Sequence, residues 1–171
     1  AREVEAVRIE ILSAKRDISH ICQQTAEMRA RIAAAKTPEG LLDAKIGAGR
    51  LQDIELFAQA GALAGGTAAR DIPAGLAAAR ECGLLDDEGA AALTTAYETL
   101  WALQSATRLL SSRPLNMEAL RAATLRFLVQ AVGNFAENDS AQDIETLLAQ
   151  TYATADRIIT AALAAQSSGE T

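Results

Sequence analysis

The chain has 171 residues, a formal net charge of −6, and half of its residues are hydrophobic although only 4% are aromatic. That length suits one domain with a substantial core. The scattered arginines supply no basic face for nucleic acid, and no apolar run approaches the ~20 residues of a membrane span. No signal-peptide pattern opens the sequence. The apolar content is mostly Ala and Leu, which favour helix, while strand-favouring side chains are sparse, so an all-α fold is expected. Cys22, Cys82 and the single histidine, His20, have no zinc-type spacing. The cysteines read as small core residues of a cytoplasmic protein, and His20 as structural.

In chain order, Val4, Val7, Ile11 and Leu12 make one apolar stripe of a first helix. Asp17 can cap a second, with Ile18, Ile21, Cys22, Met28 and Ile32 on one face, before Thr37-Pro38-Glu39-Gly40 breaks the pattern. Helical periodicity resumes at Leu51, Ile54, Phe57 and Leu63 and stops at Gly65-Gly66. Asp71-Ile72-Pro73 opens a short helix carrying Leu76 and Ala79, which ends at Gly83. Asp86 or Asp87 starts a long helix to about Ser112, with Leu93, Ala96, Tyr97, Leu100, Trp101, Leu103 and Leu110 as its stripe and Trp101 as a core anchor. Asn116 caps the next helix, with Met117, Leu120, Thr124, Phe127 and Leu128 inward. After a polar loop from Gly133 to Asp139, a capping box at Ser140–Asp143 begins the last helix, which packs through Ile144, Leu147, Leu148, Tyr152, Ala155, Ile158, Ile159 and Leu163. About seven helices with short connections imply an up-and-down antiparallel bundle. Residues 1–171 read as a single helical domain with a glycine-containing loop at 37–50 and a tail fraying over 166–171. A start at Ala1, without Met, suggests a piece excised from a longer polypeptide, or a processed N-terminus.

Leu41 to Gln59, LLDAKIGAGRLQDIELFAQ, is the exception to this regularity. Glycines, a lysine, an arginine and three carboxylates crowd a segment without period that runs directly into a helix. Glycines and a helix N-terminus can cradle an anion, but the spacing matches neither a dinucleotide fingerprint nor a P-loop, and no strand precedes it. Asp53 and Glu55, two apart, diverge by about 200° on a helix and do not easily share a metal. On physical grounds they are first-turn acids favoured by the helix dipole.

As a string, Asp43-x-Lys45-x-Gly47-x-Gly49-x-x-x-Asp53-Ile54-Glu55-x-x-x-Gln59 resembles a motif of the bacterial glutamine synthetase adenylyltransferase family, found in the helical domain after each nucleotidyltransferase domain. Asp17 to Ile32, ending Met28-Arg29-Ala30-Arg31-Ile32, is similar to the family's lead-in helix. Cys82 to Glu88, Ala96-Tyr97 and Trp101 to Leu110 are similar to its later loop and core segments. The chain departs from the pattern at Arg50, where a second glycine is usual, and at Leu56, where the family has Phe. The resemblance implies a bifunctional enzyme that transfers AMP from ATP to a tyrosine of glutamine synthetase and removes it by phosphorolysis, under control of glutamine and the PII signal protein. ATP and Mg²⁺ would serve the full-length enzyme, and the metal-binding aspartates would lie in its nucleotidyltransferase domain. This chain, the C-terminal copy, would hold no catalytic or metal residue and no cofactor, and would be inactive alone. Asp43, Lys45, Gly47, Gly49, Arg50, Asp53, Glu55 and Gln59 would wall the nucleotide site, with Lys45 neutralising phosphate and the two acids positioning Lys45, Arg50 or a metal-bound water. Nucleic acid and membrane are not expected as partners. The alternative is a non-catalytic helical interaction module whose loop merely joins two helices.

Overall fold

The computed structural model describes residues 2–133 and 141–167. Seven α-helices account for most of them: α1 (Arg2–Leu12), α2 (Ile18–Ala35), α3 (Leu51–Ala64), α4 (Ile72–Glu81), α5 (Asp87–Leu110), α6 (Ala122–Val132) and α7 (Ala141–Ser167). No strand occurs among the described residues, so the fold is all-α as expected. From α2 to α6 each helix packs on the next, and α7 returns to cover α2, α3 and α5. The core is continuous through these helices, with Ile54, Phe57, Leu76, Leu93, Leu100, Leu103, Leu128, Ile144, Leu148 and Ile159 essentially inaccessible. α3 and α4 cross closely because small residues meet there: a Cβ on Gly61 would lie 2.6 Å from Ala79 Cβ, and one on Gly75 2.5 Å from the Ala58 carbonyl.

Local signals set most helix starts. Asp17, Asp71 and Asp86 each accept a backbone N–H of the first turn, from Ser19, Ala74 and Gly89 respectively, satisfying amides that the helix cannot pair internally. Asn116 also caps, through the Glu118 amide, but it opens only a single 3₁₀ turn, Met117–Ala119. The α-helix begins five residues later than the capping signal suggests, and Arg121 at its N-cap gives no side-chain bond. The capping box at Ser140–Asp143 and the loop from Gly133 to Asp139 fall largely on residues 134–140, outside the described residues. α7 continues through Ser167, and the rest of the expected tail lies outside them too.

Several stripe assignments are corrected. α1 leaves Val4, Val7 and Ile11 exposed. It is tethered instead by polar contacts, Arg8 donating to the Ala68 and Ala69 carbonyls and Arg70 pairing with Glu5 at 2.6 Å. Trp101 is 54% exposed and lies stacked on Tyr97, ring centroids 6.2 Å apart. The buried line of α5 is Leu93, Ala96, Leu100, Leu103 and Ala106, and Trp101 stands ~100° round from Leu100. Leu110, Met28 and Phe127 are likewise exposed. Both cysteines are free thiols, Cys22 fully buried and Cys82 partly so; burial pushes the Cys22 thiol pKa up. His20 is exposed. No helix of the described residues is long and apolar enough to cross a membrane.

Candidate functional site

The loop from Lys36 to Arg50 has no regular structure, and its shape comes from one carboxylate. Asp43 accepts three backbone amides, from Glu39 at 3.1 Å, Lys45 at 3.0 Å and Ile46 at 3.2 Å. This is the self-bonding habit that suits Asp to turns. Leu42 and Ala44 on either side point into the core. The loop then closes over the start of α3: the Leu51 and Gln52 amides donate to the Ala44 and Lys45 carbonyls, and those of Asp53 and Ile54 to the Arg50 carbonyl. A phosphate at a helix N-terminus needs those N–H groups, and here they already have partners. The glycine loop is therefore a closed turn at this end.

Arg50, the departure from the motif, is turned inward and buried. Its Nη1 donates to the Gly40 carbonyl at 2.9 Å and to that of Asp43, and its guanidinium lies 4.2 Å from the centre of the Tyr152 ring. Arginine can stack on an aromatic face while its fork of donors stays engaged. Tyr152, on α7, donates its hydroxyl to the Leu41 carbonyl at 2.9 Å. Burial pushes its pKa up to about 12, with Arg50 opposing the rise and Asp43 adding to it. The folded phenol thus holds its proton to higher pH than an unfolded tyrosine near 10. Stability from this site is full below pH ~10 and falls as pH rises from there to about 12, by up to about 2–3 kcal/mol. Urea unfolding at about pH 9 and about pH 11.5 measures this loss, and Tyr152→Phe is expected to remove most of the difference between the two.

Arg29 of α2 makes the second tie. Its Nε and Nη2 meet the two Asp53 oxygens at 2.6 and 2.7 Å, Nη2 also reaches Asp156 at 2.7 Å, and Nη1 donates to Thr160 at 3.1 Å. Asp53 additionally accepts the Gly49 amide at 2.8 Å. Burial works against the guanidinium charge, but the bonds and charges of Asp53 and Asp156 outweigh it and raise the Arg29 pKa. Gly49 rests on α7 itself: its φ is +68°, and a Cβ there would lie 2.0 Å from the Tyr152 carbonyl oxygen. The close backbone approach that a glycine permits is made within this chain.

The eight motif residues consequently do not share one surface. Lys45 is exposed and lines a cleft of about 420 Å³ between the loop, the end of α5 and residues 111–115, together with the partly buried Asp43. Gly47 and Asp53 border a second hollow of about 300 Å³ on the other side of the loop, beside Arg29, Lys36 and Gln52. Gln52 Oε1 is buried there without a hydrogen-bond partner. Gly49 and Arg50 are interior. Glu55 is partly buried on another side of α3, where its charge raises the Tyr97 pKa after burial, the larger cause. Gln59 is exposed near Arg70 and Asp71. Asp53 therefore positions Arg29 and Gly49, while neither acid pairs with Lys45 or Arg50. The donor set does not suit Mg²⁺: both Asp53 oxygens are committed, Glu55 points elsewhere, and no group of three His, Cys, Asp or Glu able to hold a metal exists among the described residues.

Arg29 was the residue that motif spacing missed. It sits at the next step of the α2 face that buries Ile21, Cys22 and Thr25, and a charged residue on an apolar face was the available signal. Arg108 and Arg113, which line the larger cleft with Lys45, carried none. No curated protein and no solved structure matches the chain. Residues 19–163 match the family model of the GlnD PII-uridylyltransferase. That span takes in α2 to α7 nearly whole, with both ties of the loop inside it. The chain thus belongs to the GlnD PII-uridylyltransferase family, as a nucleotidyltransferase-related helical domain.

Proposed function

We propose that this domain serves a cytoplasmic enzyme that transfers AMP from ATP to a tyrosine of glutamine synthetase and removes it again, responding to PII. The domain packs beside the nucleotidyltransferase domain, which brings Mg²⁺, its aspartate ligands and the reacting phosphate, and it is inactive alone. What supports the reading is the Asp43–Gln59 string, folded so that Lys45 stands exposed on a loop held in shape by the bonds of Asp43, Gly49 and Arg50. A fixed loop holds a charge where a transferring phosphoryl group can use it without reorganisation.

The activity in the family's name, uridylyl transfer to PII, is the competing chemistry. The two separate when the full-length enzyme is offered labelled ATP or UTP with glutamine synthetase or PII as acceptor. AMP on glutamine synthetase is the expected product; UMP on PII would replace this reading. Lys45→Ala in that enzyme is expected to lower transfer roughly 10- to 100-fold with helical circular dichroism unchanged, and full activity would remove Lys45 from the site. A non-catalytic interaction module is the second reading, favoured by the uncovered Val4, Val7 and Ile11 of α1. It requires that the full-length protein transfer neither nucleotide.

A further inference from the structure

The cleft of about 420 Å³ has a charge balance opposite to that of the whole chain. Lys36, Lys45, Arg108 and Arg113 line it against Glu39 and Asp43, in a protein of net charge −6. The Asp43 carboxylate is already engaged by three amides, and none of the four cations forms an ion pair among the described residues. Two helices, α2 and α5, end at the cleft, and each C-terminus contributes about half a negative charge. Four cations against two acids and two helix ends still leave an excess of about one positive charge. Neutralising the helix ends therefore does not account for all of the cations. The hydroxyl of Ser112 also lines the cleft and can donate to anionic oxygens, whereas that of Thr107 donates to the Gln104 carbonyl.

One face of α5 leads out of it. Tyr97, Trp101, Gln104 and Arg108 are spaced at steps of four, three and four, so they share a side of the helix. Gln104 and Arg108 are in the cleft, and the Tyr97–Trp101 stack stands beyond it with Trp101 uncovered. Seven residues separate Trp101 from Arg108, or ~10.5 Å of helix, comparable with the span from a nucleobase to its β- and γ-phosphates.

We propose that this cleft binds a polyphosphate chain, gripped by Lys36 and Lys45 from one wall and by Arg108 and Arg113 from the other. The inference goes beyond the adenylyl-transfer reading and holds whichever nucleotide the enzyme transfers. It concerns a weak anion site without metal, with a dissociation constant on the order of 1 mM.

The test titrates the 171-residue chain, free of metal and at fixed ionic strength, with tripolyphosphate and with ATP. Amide shifts of residues 36–46 and the fluorescence of Trp101, the only tryptophan, are monitored. Saturable binding of tripolyphosphate is expected, weakened about tenfold by Arg108→Ala with Arg113→Ala. Lys36→Gln with Lys45→Gln, on the opposite wall, weakens it similarly. Arg80→Ala, on α4 where its side chain reaches Asp87 at the opposite end of α5 from the cleft, leaves it unchanged. Quenching of Trp101 by ATP and not by tripolyphosphate identifies a nucleotide as the source of the phosphates; binding of both without quenching identifies inorganic polyphosphate. Absence of saturable binding, undiminished binding in both double variants, or equal loss in Arg80→Ala overturns the proposal. Absence of saturable binding to the unaltered chain alongside the expected Lys45→Ala defect in transfer would sink this inference alone.

Discussion

Gly49→Ala is expected to lower the unfolding free energy by at least about 3 kcal/mol, a large share of a domain's total. The added Cβ would sit 2.0 Å from the Tyr152 carbonyl oxygen, 2.8 Å from its carbon and 2.9 Å from the Asp156 nitrogen. All three are backbone atoms of α7, so no rotamer change relieves the contact. The φ of +68° adds roughly 1 kcal/mol for any residue with a Cβ. If the loop lifts away to relieve the clash, it gives up the Gly49–Asp53 bond and the Tyr152–Leu41 bond together. Gly83→Ala separates the two contributions, because Gly83 has a φ of +79° and open space where its Cβ would go. It should cost only about 1 kcal/mol. Urea midpoints at constant m measure both, and a Gly49→Ala cost no larger than that of Gly83→Ala would show that the loop does not rest on α7.

Removing Arg29 strands Asp53. The two side chains are 16% and 9% exposed, and their double contact is the least solvated ion pair among the described residues. Breaking such a pair by deleting one member leaves a charge buried without its partner, which costs about 3–5 kcal/mol in well-buried cases. Arg29→Ala is expected near the lower figure, since the Gly49 amide still donates to Asp53. Arg29→Lys keeps the charge but loses the planar fork that meets both oxygens, so it should recover only part of the loss. Asp156 is 44% exposed, and Asp156→Asn is expected to cost under about 1 kcal/mol. A double-mutant cycle should give a larger coupling for Arg29 with Asp53 than with Asp156. The reverse order would relocate the anchor to α7.

The helices were legible because their signals are local. An aspartate before an apolar period placed the starts of α2, α4 and α5 almost to the residue, Gly83 marked the end of α4, and the buried line of α7 keeps its 3.6-residue spacing. Facing was harder where apolar residues sit next to one another. Leu100 and Trp101 are neighbours in sequence, and which of the two turns inward depends on what α3, α6 and α7 offer as partners. Met28 and Arg29 present the same choice, and there the ion pair wins: the arginine goes inward because Asp53 and Asp156 wait for it. The motif gave its own importance away as a string but not its geometry. Arg50 stands where the family pattern has a glycine, and sequence spacing cannot show that its side chain folds under the loop onto Tyr152, a partner about a hundred residues away.

That distance has a bearing on how the protein is made. The loop rests on α7 through long-range contacts: Arg29 and Asp156 are 127 positions apart, and Leu41 and Tyr152 are 111. During synthesis at ~5–20 residues per second, Arg29 leaves the ribosome on the order of ten seconds before the segment that pairs with it. Until α7 arrives, the loop has its Arg29–Asp53 anchor but not the floor that Tyr152 and the α7 backbone supply.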